Sequence, residues 1–463
     1  EQRQVAARWM EVFAGMLAFE DAQFGRLLDE LERIGQADNT LILFIEGDNG
    51  AAFEGGQFGN PNPMGNYANG VKQDDAEALA TIGTAGTAGA VGQYGYGWAS
   101  AMNTPFALGK QYASQLGGVR NGLVVSWPQR IKARGLRSQF TSVNDVLPTV
   151  LDAVGIQPPA SVNGVAQQPI DGVSFAYSFD APIAPERHQT QYFEMMGNRG
   201  LYHQGWWAGT TPVRLPWVDN ANSGVDPTTY KWELYDLTKD PTQAHDLAAK
   251  EPARLQEMQA LFATEARANG VFPLDDRLTL ARFMAAMPRP RARYTYWGAG
   301  VSVPAVSAAP MLGLSFALEA QLTLPAKPAN GTVVALGGRF AGWSFHFVDG
   351  VPAAVLAASQ LPGDQFTVRA TRALPPGPVR LSYAFTKQPG QNAPGEVVIK
   401  ANGEEIGRGP ITRSISKLVE HTDSLDIGFD GDTPVVDGAG ALPFNGQIER
   451  VDIMPVLPGR PKG

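Results

Sequence analysis

The first thirty-five residues carry apolar side chains at three- and four-residue steps. Trp9, Met10, Phe13, Met16 and Leu17 are followed by Phe24, Leu27, Leu28 and Leu31. That spacing puts them on one face of a helix, and Gly35 ends the pattern. Thr40 to Ile45 is a continuous apolar run too short for a helix. It predicts a strand buried on both faces, as in a parallel α/β sheet. Glu46-Gly47-Asp48-Asn49-Gly50 follows at the strand's carboxyl end, the place where ligands bind in open α/β sheets. Residues 55–100 are rich in Gly, Asn, Ala and Thr and show little periodicity. A stretch of that length predicts a functional loop or lid.

Leu123 to Ser126 reads as a second buried strand, and Ser142 to Val154 as a helix. Val143, Val146, Leu147, Val150, Leu151 and Val154 share that helix's apolar face. A strand at Gln191–Glu194, a hairpin near Leu201–Gly209 and a helix from about Pro252 to Asn269 come next. After Phe272 the composition shifts, and Pro288, Pro290 and several arginines predict a linker. From about Tyr294 to Val456 short alternating strands dominate. Leu312, Leu314, Phe316, Leu318, Ala320 and Leu322 fall on one face at period two. Asn402-Gly403 between two such runs predicts a hairpin with a type I′ turn. The expectation is an α/β fold over residues 1–285, with a small subdomain at about 190–275. An all-β sandwich of concanavalin or laminin-G type follows over 290–457.

With 463 residues, of which 44% are hydrophobic, the chain can bury sizeable cores. A net charge of −8 argues against a nucleic-acid partner. The short basic cluster of Lys132, Arg134 and Arg137 reads as a solvated loop. No cysteine is present, so disulfides, thiol nucleophiles and Cys-ligated zinc are excluded within these residues. No apolar run reaches the roughly 20 residues needed to span a bilayer. The chain opens on Glu1 inside a helical pattern, so the true amino terminus is expected upstream.

Asp48 and Asn49 offer two hard oxygen donors side by side at a strand end. Such donors suit Ca²⁺ or Mg²⁺ and not a soft metal. Ca²⁺ takes roughly six to eight oxygens, so most of its ligands must come from elsewhere. Taken alone, Asp48-Asn49-Gly50 also fits a plain strand-to-helix turn. Downstream stand Asn103-Thr104-Pro105-Phe106, Lys110, Gly117-Gly118-Val119-Arg120 and Val124-Val125-Ser126-Trp127-Pro128. Glu233-Leu234-Tyr235-Asp236-Leu237 follows, with Asp240-Pro241 and Leu247-Ala248. In this order and spacing the set resembles the later half of a sulfatase of the alkaline-phosphatase superfamily, in particular the bacterial arylsulfatase branch. The resemblance spans residues 1 to about 285.

That resemblance implies a mixed sheet with helices on both faces. It also implies metal ligation by Asp48 and Asn49, with Asp48 helping to activate the nucleophile. Two further aspartates of the family's site are not found in this sequence. Lys110 matches the family's sulfate-binding lysine, and an ammonium there would grip a sulfate oxygen and stabilise the leaving group. The segment departs from the family at Ala107 and Gly109, where Arg and an aromatic are usual. Arg120, after two glycines, reads as structural. His188 lies near the strand at Gln191 and could approach the site, although a core-satisfied histidine is the plainer reading.

Sulfatases convert the first residue of a Cys/Ser-x-Pro-x-Arg motif to formylglycine, their nucleophile. Ser126-Trp127-Pro128-Gln129-Arg130 has those letters. It sits at the end of a buried strand, where the family has a structural Trp-Pro, so it is rejected. The nucleophile is expected on an amino-terminal segment, covalent or a separate chain, which would be this chain's macromolecular partner. In the all-β region Trp343, Phe345 and Phe347 share one face and His346 the other. Core packing is the default there, and a carbohydrate-binding face the alternative.

The resemblance implies hydrolysis of small-molecule sulfate monoesters, with Ca²⁺ as first choice of metal and Mg²⁺ as second. A phosphodiesterase or phosphonate hydrolase of the same superfamily stays open. So does a catalytically dead, glycan-binding relative.

Overall fold

The computed structural model describes residues 1–62, 65, 69, 75–80, 82–215, 225–277, 282, 290–361, 363–416, 424–431 and 433–457. The chain is mixed α/β with a large share of strand. Its packing divides it into two compact units. One holds residues 1–9, 59–93 and 287–463, the other 10–58 and 94–286. Pro288 of the expected linker lies outside the described residues.

In the second unit, strand β1 (Ile42–Glu46) follows the long helix Gln2–Arg33. It pairs antiparallel with β2 (Gly122–Ser126), Ile42 opposite Ser126 and Glu46 opposite Gly122. The parallel neighbour expected for β1 is not what it meets among the described residues. Ile45 and Val124 are exposed, so the pair is not buried on both faces either. A continuous apolar run fixes neither the direction of the partner strand nor what covers it. One face of the pair does pack, against Phe175, Ala176 and Phe179. The helix Val146–Val154 forms as predicted, entered through a capping box at Ser142 and Asp145. Its burial is inverted relative to expectation. Asp145 and Thr149 are fully buried, whereas Val143 is 71% exposed and Leu147 and Val154 each 54%.

Strands β3 (Ser161–Val162) and β4 (Val165–Ala166) make a short hairpin. Strands β5 (Thr190–Met195), β6 (Asn198–His203), β7 (Trp206–Thr210) and β8 (Trp232–Asp236) form an antiparallel sheet in sequence order. The helix Pro252–Ala268 lays Met258, Phe262 and Ala266, one stripe at four-residue steps, on Leu201, Ala208 and Leu234 of that sheet. The acidic residues after β8 organise turns. Asp236 accepts from Thr238 and Lys239, Asp240 from the amides of Ala244 and His245, and Asp246 from those of Leu234 and Ala248.

The first unit contains β9 (Tyr294–Trp297), β10 (Val301–Pro304), β11 (Phe316–Leu324), β12 (Gly331–Gly338), β13 (Ala341–Val348) and β14 (Val351–Ala357). It continues with β15 (Gln365–Arg369), β16 (Gly377–Lys387), β17 (Gly395–Ala401), β18 (Glu404–Ile411), β19 (Ser424–Ile427) and β20 (Gln447–Pro455). They form two six-stranded sheets, ordered β10-β19-β12-β13-β14-β15 and β18-β17-β16-β11-β20-β9. One apolar core takes alternate residues from both, among them Phe316, Leu318, Ala320 and Leu322 of β11 and Tyr383 and Phe385 of β16. Trp343, Phe345 and Phe347 of β13 all point into it. The Asn402-Gly403 turn joins β17 to β18 with both residues at positive φ, 50° and 89°, as a type I′ turn requires.

The outer face of β13 is covered as well. Thr332 Oγ1 donates to the Gly440 carbonyl at 2.7 Å, and Val435 and Val436 pack on Val355 and Ala357. His346 lies buried there beside Ser344 Oγ, 3.0 Å away, and burial pushes its pKa down to about 4. Parts of the Gly/Asn-rich stretch also belong to this unit. The buried Asn62 donates to Gln360 Oε1 at 2.9 Å, and the buried Asn69 accepts from the Ser416 amide at 3.2 Å. Trp9 is buried against Gly59 and Gly92, where a β-carbon at 92 would lie 1.6 Å from its ring.

Candidate functional site

β1 ends at Glu46, and Gly47, at φ 76°, turns the chain so that Asp48 emerges exposed and Asn49 half-buried. The Asn49 side-chain amide donates to Asp48 Oδ1. Asn121 holds the backbone of Asn49 from both sides. In the amide orientation that satisfies both groups, its nitrogen donates to the Asn49 carbonyl at 2.8 Å and its oxygen accepts from the Asn49 amide at 3.0 Å. The next residue, Gly50, donates its amide to the Gly118 carbonyl at 3.1 Å. The turn is thus stitched to the short helix Leu116–Val119, which contains the Gly-Gly pair seen in the sequence.

Lys110 is tied to the same turn. Its backbone amide donates to the Ala51 carbonyl at 3.1 Å. Gly109 packs so tightly that a β-carbon there would lie 2.4 Å from that carbonyl oxygen. The residues on either side of this pair, Leu108 and Gln111, sit at φ 61° and 79°. Non-glycine residues in the left-handed region each cost about 1–3 kcal/mol and persist only where the surroundings impose them. Two such residues flanking the lysine indicate a segment held to a set geometry. The ammonium is half-exposed and lies 3.4 Å from Glu54 Oε1, which also accepts from Gln111 Nε2 at 3.1 Å.

Asp48, Asn49 and Lys110 therefore stand on one hydrogen-bonded substructure. Two adjacent hard oxygens at an exposed turn fit a minor part of a Ca²⁺ or Mg²⁺ ligand set. Among the described residues no group of three or more acidic, histidine or cysteine side chains stands ready to complete it.

The other sequence candidates lie elsewhere. Arg120 stacks over the Phe106 ring at 4.8 Å, a packing role. Ser126, opposite Ile42, lies four residues down the ladder from the Asp48 end, roughly 13 Å at ~3.3 Å per residue. Trp127 donates to Asn39 at 3.3 Å. The Ser-Trp-Pro-Gln-Arg letters are a strand exit, away from the Asp48 turn. His188 is buried against Asp145, its Nδ1 2.8 Å from both Asp145 oxygens and its Nε2 3.0 Å from the Thr190 carbonyl. Burial alone would lower its pKa. The Asp145 hydrogen bond and charge, with the Thr190 carbonyl and Glu186, outweigh that and raise it. Arg137 donates to the carbonyls of Ser178 and Ala133 and shapes its own loop.

Sequence reasoning did not reach Glu54, Asn121 or the role of Asn103 in this substructure. Glu54 and Asn121 sit outside every motif, and Asn103 shows only as the first letter of a turn-like tetrapeptide.

Residues 2–156 match the family model described as Sulfatase. The chain is 27% identical over 278 residues to an uncharacterized sulfatase of Schizosaccharomyces pombe, covering 60% of this chain and 46% of that protein. It is 29% identical over 197 residues to an arylsulfatase of Klebsiella aerogenes, covering 42% of this chain and 39% of that one. The chain thus spans less than half the length of these two curated relatives. Among solved structures it is similar to Ps i-CgsB in complex with k-i-k-neocarrahexaose, at 20% identity and a TM-score of 0.38 over 60% of this chain and 48% of that one. It is also similar to Ruminococcus gnavus IT-sialidase CBM40, at 16% identity and a TM-score of 0.26 over 35% of this chain and 91% of that one. The matched segment contains the Asp48–Asn49 turn, Lys110 and the glycine pair beside them, so the part of the chain that carries the candidate site is the part that matches the sulfatase family.

Proposed function

We propose that the chain carries part of the active site of a sulfuric ester hydrolase acting on sulfate monoesters of the aryl sulfate type. The observation that carries this reading is the join between the Asp48–Asn49 turn and Lys110 through the Ala51 carbonyl. A sulfate ester concentrates negative charge on its nonbridging oxygens, and hydrolysis needs fixed positive charge and fixed donors there. Lys110 supplies a compact ammonium that binds one such oxygen and stabilises the leaving oxygen as the S–O bond breaks. Asp48 and Asn49 hold a divalent cation, with Ca²⁺ ahead of Mg²⁺. When bound, that cation neutralises charge on the sulfate. Asp48 also helps to activate the nucleophile, a formylglycine expected on a segment upstream of these residues.

Exposed apolar residues support that upstream segment as a partner, covalent or separate. Val143, Leu147 and Val154 on one helix, Met16, Phe19 and Leu27 on another, and Val124 on β2 present apolar surface that a finished core covers. We read residues 1–285 as the sulfatase part, within an alkaline-phosphatase-like sheet, and 290–457 as a lectin-like sandwich.

The test measures release of inorganic sulfate from 4-nitrophenyl sulfate by the full-length protein with added Ca²⁺. D48A and K110A are each expected to lower kcat/KM by roughly 10³-fold. Turnover of bis(4-nitrophenyl) phosphate in preference to the sulfate would move the reading to the phosphodiesterase branch. Unchanged kcat/KM in both variants would remove these residues from the site.

A further inference from the structure

The side chain of Asn103 closes a ring of hydrogen bonds around the candidate site. Its Oδ1 accepts from the Ala51 amide at 3.2 Å. Its Nδ2 donates both to the Leu108 carbonyl and to the Gly117 carbonyl, the latter at 2.8 Å. A primary amide offers this one acceptor and these two donors, so the hydrogen-bonding capacity of the group is used on three separate segments. Ala51 lies three residues after Asp48, Leu108 two before Lys110, and Gly117 begins the glycine pair under Gly50. Ala51 uses both its backbone groups, its amide toward Asn103 and its carbonyl toward Lys110. The neighbours are shaped to admit the side chain. A β-carbon on Gly117 would lie 2.6 Å from Asn103 Nδ2.

We infer that Asn103 is a positioning residue that fixes Lys110 in register with the Asp48–Asn49 turn. The inference rests on the reading of Lys110 and Asp48 given above. Neither aspartate nor alanine fills the role. Aspartate would face two carbonyl oxygens with no hydrogen to give, and alanine would leave three backbone groups without partners. Asn103 reaches only backbone groups here, so it acts through the residues it holds.

The test is a double-mutant cycle on the full-length protein with 4-nitrophenyl sulfate, inorganic sulfate as inhibitor and saturating Ca²⁺, using N103A, K110A and the pair, with Tm recorded for each. N103A is expected to lower kcat/KM by about 10²-fold and to weaken sulfate inhibition by about tenfold. In the K110A background the same change is expected to cost less than about threefold. Additive losses in the cycle would mean a general structural effect and overturn the inference. An active N103A beside an impaired K110A would overturn it too, and leave the lysine reading intact. An unimpaired K110A would sink that reading itself, and the inference with it. Should N103A not fold, N103S takes its place in the same cycle, and additivity or full activity overturns the inference there as well.

Discussion

A β-carbon on Gly50 would lie 1.7 Å from the carbonyl oxygen of Gly117. No real β-carbon tolerates that distance, so the turn carrying Asp48 and the helix Leu116–Val119 touch backbone to backbone. G50A must therefore push the two apart and break the Gly50–Gly118 hydrogen bond. It is expected to cost more than about 2 kcal/mol in urea unfolding. Gly15, in the long helix, has nothing within 4 Å of its would-be β-carbon. G15A is expected to stabilise by roughly 0.5–1 kcal/mol, because only the entropy of the unfolded glycine is removed. Equal effects from the two substitutions would contradict the close approach.

Glu54 lies 3.4 Å from the Lys110 ammonium and competes with any anion that lysine binds. E54Q keeps an oxygen for Gln111 and removes the charge. Losing a like charge beside a bound dianion strengthens its binding, since unit charges a few ångströms apart near a surface interact by a few kcal/mol before screening. Inhibition by inorganic sulfate is expected to tighten by roughly three- to tenfold at low ionic strength, and less at high salt. An unchanged inhibition constant would place the anion away from Lys110.

The sequence was most readable where a local rule determines the structure. Asn402-Gly403 needs two positive φ angles and adopts them, and period two across Phe316–Leu322 places those residues in the core. The helices at 2–33 and 252–268 follow their apolar spacing. Relations between distant residues were not readable. The run at 40–45 announces a strand but carries no sign of an antiparallel partner 80 residues later. Periodicity in Val143–Val154 predicts a buried face, and it carries no sign that Asp145 and Thr149 are the buried residues while Val143, Leu147 and Val154 stay exposed. Asp48 and Asn49 stood out as adjacent oxygen donors at a strand end, and Lys110 only through the resemblance to the sulfatase family. The ring through Asn103 consists of side chain-to-backbone bonds, which leave no pattern in the residue letters.

The His188–Asp145 pair predicts how stability responds to pH. The folded-state pKa of His188 is raised, so its stabilisation is fully present below its ordinary value near 6.5 and is lost as pH rises through the raised one. Melting temperature is expected to fall as pH climbs from about 6.5 through that window, and the slope to flatten in H188Q. Asp145 also accepts from the amides of Ser142 and Val173, so D145A removes more than one contact. It is expected to cost about 1–3 kcal/mol for each buried donor left without a partner. A slope that survives in H188Q would assign it to another group.

Val143 and Leu147 lie on the exposed stripe of a helix whose inner side is held by Asp145 and Thr149. Thr149 Oγ1 accepts from the Phe175 amide at 2.9 Å and donates to the Asp145 carbonyl at 2.7 Å. The helix is therefore anchored by its polar side, while Val143, Leu147 and Val154 stay exposed and Val146, Val150 and Leu151 half-buried. Replacing Val143 and Leu147 by Glu and Lys is expected to reduce binding of an apolar dye to this chain and to leave its melting temperature within about 2 °C. In a longer chain carrying the proposed upstream segment, the same pair of substitutions is expected to lower stability by several kcal/mol, because it would bury two charges without partners. If both proteins tolerate the change equally, the stripe is ordinary surface and no further polypeptide packs on it.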